Sequence, residues 1–177
     1  TLFRPFNWIG PGLDSIYTSK EGSSRVVTQF LGHIARGEPI NLVDGGLQKR
    51  TFTYIDDGIE ALSLILANKN DVANGKIYNI GNPVNNFSVK ELANMMLAIA
   101  KRIPEYRETA LKVVIQETTS NAYYGNGYQD VQNRVPKIQN TIDELHWHPK
   151  TTMADALEHI FEAYRHDVIK ARNLVEN

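Results

Sequence analysis

The 177-residue sequence predicts one mixed α/β domain. Three observations carry that expectation. Short apolar or alternating runs are bounded by Gly, Pro and Asn, as strands are. Between them lie longer segments whose apolar residues recur at helical spacing. Finally, 42% hydrophobic and 22% charged residues are ordinary for a globular chain of this size, which is long enough to bury a core.

Taken in order, residues 2–8 read as a strand closed by Gly10-Pro11-Gly12. Ser23 and Ser24 are candidate caps for a helix carrying Val26, Val27, Phe30, Leu31 and Ile34, ended by Gly37 and Pro39. Residues 40–43 form a second strand before Asp44-Gly45-Gly46, and residues 50–55 alternate like a third. Asp56 or Asp57 opens a helix carrying Ile59, Leu62, Ile65 and Leu66. Residues 76–80 are a strand ended by Gly81-Asn82-Pro83. Ser88 with Glu91 forms a capping box before Leu92, Met95, Met96, Ile99 and Ile103. A strand over 111–115, a short helix over 139–145 and a long helix from Met153 to about Arg172 complete the pattern. The last of these turns Met153, Leu157, Ile160, Phe161, Tyr164 and Val168 to the core. Residues 118–134 have no apolar period, and loops of that length inside compact domains are often functional.

The composition excludes several function classes. A formal charge of -1 provides no general field for nucleic acid, so any anion must meet a few placed cations. The absence of cysteine removes disulfides, thiolate metal sites and a cysteine nucleophile. His146 and His148 flank Trp147 with no acidic third ligand at useful spacing, so no metal site is read. No apolar run approaches the ~18 residues of a membrane span, and no charged-then-apolar N-terminal segment suggests a signal peptide. The start at Thr1, running directly into apolar residues, reads as a cut at or inside a strand.

A dinucleotide cradle needs a strand, a turn with G-x-G-x-x-G spacing and a helix. The pairs Gly10/Gly12, Gly45/Gly46 and Gly125/Gly127 do not provide it. Tyr17 and Lys20 are three residues apart, whereas a Tyr-Lys catalytic pair on one helix face is four apart. The sequence therefore holds neither the cradle nor the usual general base.

Several motifs, in order, carry a resemblance. Arg4-Pro5-Phe6-Asn7-Trp8-Ile9-Gly10-Pro11 resembles the segment after the sixth core strand of extended short-chain dehydrogenases. Arg50-Thr51-Phe52-Thr53-Tyr54-Ile55-Asp56-Asp57 resembles the strand-to-helix turn of nucleotide-sugar epimerases and decarboxylases, and Tyr78-Asn79-Ile80-Gly81 their next strand. The stretch from Tyr123 to Pro136 is similar to the signature loop of UDP-glucuronate dehydrogenase/decarboxylases of the bifunctional polymyxin-resistance type. The resemblance covers essentially the whole chain. It implies the C-terminal part of an extended short-chain dehydrogenase, that is, the last Rossmann strands and helices plus a small α/β substrate lobe. It also implies NAD held mainly by an absent N-terminal half, UDP-glucuronate as substrate, a formyltransferase domain elsewhere in the polypeptide, a homo-oligomer, a cytoplasmic location and a role in lipid A modification. The rivals are a UDP-xylose synthase or epimerase, and a non-catalytic nucleotide-sugar-binding module.

The resemblance also implies site residues. Arg134 would be catalytic. Loss of CO2 from a β-keto acid leaves an enolate, and a guanidinium stabilises that charge well. Its high pKa makes it a reluctant acid, so charge stabilisation or delivery through water would outweigh direct proton transfer. Without the resemblance, Arg134 reads as a solvated cation beside Asp130. Tyr128 would donate to a phosphate or sugar oxygen, and Asn7, at a strand end, would contact substrate. Asn41, Leu42, Val43, Asp44, Gly45, Gly46, Leu47, Gln48, Lys49 and Arg50 resemble the segment that wraps uridine and diphosphate. In it the glycines would permit close backbone approach and Arg50 would grip pyrophosphate. Asn41 and Leu47 depart from the family, standing where lysines are expected. Arg25, near a helix start, is a weaker phosphate candidate.

Overall fold

Residues 1–17, 25–125 and 131–173 are described by the structure, a computed structural model. In chain order the elements are strands β1 (Leu2–Pro5) and β2 (Trp8–Ile9), helix α1 (Val26–Arg36), and strands β3 (Ile40–Val43), β4 (Lys49–Thr51) and β5 (Thr53–Tyr54). Helix α2 (Ile55–Ala67), strands β6 (Ile77–Ile80) and β7 (Asn86–Ser88), and helices α3 (Val89–Ala100) and α4 (Pro104–Ala110) follow. Strand β8 (Ile115–Thr118), helix α5 (Ser120–Tyr124), strand β9 (Asn133–Arg134), and helices α6 (Gln139–Leu145), α7 (Met153–Ala163) and α8 (Val168–Asn173) complete the chain. Parallel pairing dominates, as the α/β class requires: β1 with β6, β2 with β5, β3 with β8 and β4 with β9, while β4 pairs with β7 antiparallel.

Two apolar clusters organise these elements. The larger gathers one face of α1, α3, α4, α7 and α8 over β3, including Phe30, Leu31, Ile34, Leu92, Met96, Tyr106, Leu157 and Phe161. The smaller lies against β6, where Ala61 of α2, Tyr78, Ile80, Leu145 of α6 and Trp147 pack together. Trp147 is buried and its indole N–H reaches the Asp57 carbonyl at 2.9 Å, so the ring is satisfied as well as packed. Burial and the neighbouring Glu144 carboxylate push the Tyr78 hydroxyl up to about 12, keeping it a donor to that carboxylate at 2.8 Å.

Several expected elements break where local chemistry intervenes. The strand over 2–8 divides at Asn7, whose φ of 37° lies in the left-handed region, and β2 changes partner from β6 to β5. The strand over 50–55 likewise divides into β4 and β5, and Ile55 already begins α2. Ile103 lies outside α3 in an extended conformation, because Pro104 disfavours helix at the residue before it and starts α4. The strand expected over 111–115 is displaced to β8. Leu111 and Val114 are exposed, and Ile115 pairs with Ile40. The long last helix is interrupted after Ala163. Tyr164 accepts from the Gly12 amide at 2.9 Å and donates to the Asp14 carbonyl at 2.8 Å, and a 3-10 turn over Arg165–Asp167 precedes α8. Its inward residues are buried as expected. The capping box also forms: Ser88 Oγ accepts from the Glu91 amide, and the Glu91 carboxylate accepts from the Ser88 amide at 2.7 Å. Ser23 and Ser24 lie outside the described residues.

Candidate functional site

The small sheet β7-β4-β9 brings together Lys49, Arg50 and Arg134 of the residues singled out in the sequence. It places Lys49 beside Asn133 and Arg50 beside Arg134, in parallel register. Side chains in register on neighbouring strands share a face, so two guanidinium-bearing residues stand next to each other. Nη1 of Arg50 donates to the carbonyls of Val131 at 2.6 Å and Lys49 at 2.8 Å. The Arg134 side chain is exposed and, among the described residues, makes no hydrogen bond or ion pair. Its carbonyl accepts from the Thr51 hydroxyl at 2.8 Å. Asn7 joins this group through its amide nitrogen, which donates to the Thr51 carbonyl at 2.9 Å, while its own carbonyl accepts from the Thr53 amide at 3.2 Å.

The 41–50 segment divides by function. Leu42 and Val43 are buried side chains of β3, so they offer a ligand only their backbone. Asn41 is half-buried opposite Gln116. Asp44, Gly45 and Gly46 all hold positive φ, at 48°, 72° and 66°, forming a tight turn at the end of β3. Asp44 Oδ1 accepts from the Ser120 amide at 2.9 Å and so ties this turn to α5. The sequence suggested ligand approach as the reason for Gly46. The structure gives an internal one: a Cβ there would lie 3.0 Å from the Lys90 amide nitrogen and 3.2 Å from Leu42. Leu47 is exposed, and the Gln48 carbonyl accepts from the Val89 amide at 3.2 Å. Beside Lys49, the Ser88 N–H and hydroxyl hold the Glu91 carboxyl below the usual carboxylate range, with Lys49 contributing less.

Arg25, at the start of α1, is exposed and its guanidinium pairs with Asp14 at 2.7 Å. Tyr128 lies outside the described residues. Sequence reasoning missed three members of the group. Thr51 is buried and bonded to Arg134; Asn86 donates to Asn133 Oδ1 at 3.2 Å; and Gly81 packs on the buried Pro136, two residues beyond Arg134. The order of Arg50, Thr51 and Phe52 in the quoted motif was the available signal for Thr51. Nothing in the sequence marked Asn86. Among the described residues, no three His, Asp or Glu side chains converge to hold a metal ion.

With this geometry in hand, comparison with known proteins is direct. Residues 1–81 match the NAD dependent epimerase/dehydratase family. The chain is similar to PbgP3 protein from Burkholderia pseudomallei, with 65% identity and a TM-score of 0.82 over 98% of this chain and 48% of that one. It shares its fold with UDP-glucose 4-epimerase from Thermotoga maritima (24% identity, TM-score 0.65, 94% of this chain and 46% of that one). The same holds for dTDP-glucose 4,6-dehydratase from Bacillus anthracis (17% identity, TM-score 0.69, 97% and 46%). The family match thus lies in the N-terminal 81 residues, while the likeness to PbgP3 protein runs through nearly the whole chain. It spans about half the length of the relatives it matches. No helix among the described residues is long and apolar enough to cross a membrane.

Proposed function

We propose that the complete protein converts UDP-glucuronate and NAD to UDP-4-keto-pentose, CO2 and NADH, and that this chain is its C-terminal, UDP-sugar-binding portion. The observation that carries the proposal is the in-register pairing of Arg50 with Arg134 across β4 and β9. Like charges side by side cost stability, and an anionic ligand removes that cost. UDP-glucuronate brings two anionic groups, the diphosphate and the carboxylate. Arg50 holds the diphosphate, aided by the Asp44–Gly46 turn and Asn41. Arg134 faces the carboxylate, stabilises the enolate left when CO2 departs, and delivers a proton to carbon through water. Asn7, the backbone of the segment from Leu42 to Lys49, and Tyr128 orient the sugar nucleotide. The proton leaving the C4 hydroxyl balances the one returned to carbon.

The residues present do not fit a dinucleotide, because no turn of the required glycine spacing occurs in the sequence. NAD, which supplies hydride acceptance, is assigned to the portion of the protein beyond this chain. The same reading assigns the protein to a homo-oligomeric, cytoplasmic, ArnA-type bifunctional enzyme with a formyltransferase domain, serving aminoarabinose modification of lipid A and polymyxin resistance. The test is to incubate the full-length protein with UDP-glucuronate and NAD, following NADH by absorbance and CO2 by trapping. Equimolar NADH and CO2 are expected. CO2 without net NADH would instead indicate an enzyme that retains its cofactor, such as a UDP-xylose synthase. Neither product, with UDP binding retained in calorimetry, would indicate a non-catalytic binding module.

A further inference from the structure

We infer that Thr51 is a positioning residue whose hydroxyl sets the backbone of Arg134 and thereby the region its guanidinium can reach. The inference rests on the reading that Arg134 carries the chemistry. Strand β9 is only two residues long, too short to hold its own place. Its neighbourhood is instead fastened residue by residue to β4 and β7. The Val131 carbonyl is held by Arg50 Nη1 at 2.6 Å, the Gln132 carbonyl by the Lys49 amide at 2.8 Å, and Asn133 Oδ1 by Asn86 Nδ2 at 3.2 Å. The Arg134 carbonyl is held by Thr51 Oγ1 at 2.8 Å. Of these four anchors, the one at Arg134 itself comes from a residue that is fully buried. Loss of a buried donor leaves the acceptor's partner position filled by side-chain carbon, so solvent does not readily take its place. Thr51 is also β-branched, so its hydroxyl has few rotamers in which to wander.

Thr51 is itself held. Its carbonyl accepts from Asn7 Nδ2 at 2.9 Å, and Asn7 sits at the left-handed break between β1 and β2. A single residue therefore links the substrate-facing strand break to Arg134. The guanidinium makes no hydrogen bond or ion pair among the described residues, so the fixed backbone is what limits the region it can reach.

The experiment compares Thr51→Val and Thr51→Ser in the full-length protein by two independent readouts. Amide hydrogen exchange over residues 131–135 reports the clamp. The separate kcat and KM of UDP-glucuronate-dependent CO2 release report its consequence. Thr51→Val keeps the shape and removes the hydroxyl. It is expected to raise exchange in that segment about tenfold and to lower kcat about tenfold, with KM changed less than about threefold. Thr51→Ser restores the hydroxyl and is expected to bring both readouts back to within about threefold of the starting protein. Unchanged exchange in Thr51→Val overturns the clamp, and so does a serine variant as impaired as the valine one. If the unaltered protein releases no CO2, the functional reading of Arg134 fails. In that case the exchange comparison alone decides whether Thr51 holds the segment.

Discussion

Replacing Gly81 by alanine tests how Arg134 is held from the other side. Gly81 has no positive φ, so alanine suits its backbone and the cost is steric. A Cβ there would lie 2.6 Å from Pro136 Cγ, 3.2 Å from Pro136 Cβ and 3.1 Å from Phe6 Cβ. Carbon atoms in contact sit roughly 3.5–4.0 Å apart, so the proline ring must retreat by about 1 Å. Pro136 is buried and its ring is rigid, so the retreat moves backbone. Overpacking of this kind costs about 1–3 kcal/mol. Alanine returns about 0.4–1 kcal/mol by restricting the unfolded chain. The net loss is about 1–2 kcal/mol. For a chain of this size it lowers Tm by about 2–8 °C in thermal unfolding followed by circular dichroism. Arg134 lies two residues before Pro136, and a misplacement of about 1 Å can cost about 100-fold in turnover. The NADH assay with UDP-glucuronate reads that second effect. A Tm equal to or above that of the parent protein would refute the packing argument. A normal turnover alongside a lowered Tm would refute the coupling of Pro136 to Arg134.

Other outcomes follow from the same contacts. Arg134→Met is expected to lower kcat by about 100-fold, equivalent to about 3 kcal/mol of lost transition-state stabilisation, and a rate within about twofold of the parent would remove Arg134 from the mechanism. Ser88→Ala opens the capping box of α3 and should cost about 1 kcal/mol in urea denaturation, whereas an unchanged midpoint would show the cap to be idle. Glu91 is held below its usual carboxylate pKa, chiefly by the Ser88 backbone N–H. It therefore adds stability that is complete above the unfolded value of about 4.3 and fades as pH falls through the lowered one. Glu91→Gln should flatten this acid limb of the stability curve, and a variant with the same pH slope as the parent would contradict the assignment.

The helices that were easiest to read from sequence were those with both a period and an end signal. The helix α1 stripe at Val27, Phe30, Leu31 and Ile34 is buried, and the chain leaves it through Gly37 at φ 72°. The capping box of α3 formed between the residues that its spacing named. The misread elements had a period without a local boundary. Leu111, Val113 and Val114 make an apolar run, and only the alignment of Ile115 with Ile40 decides where pairing begins. The last helix keeps its apolar stripe across Tyr164, and the break there depends on Gly12 and Asp14, about 150 residues earlier. The site followed the same rule. Arg50 and Arg134 could be named from motifs, but Thr51, Asn86 and Gly81 matter only because of what faces them.

By itself, the sequence determined the α/β class, the inward faces of α1, α3 and α7, though not that of α2, where Ile59 and Leu66 are exposed, and the motifs that carry the family resemblance. Those depend on residue type and spacing along one stretch of chain. Only the tertiary structure decided that Arg50 and Arg134, far apart in sequence, stand in register on adjacent strands, and that Asn7 reaches them through Thr51. Register is a property of two segments, set by hydrogen bonds and packing between them, and neither segment encodes it alone.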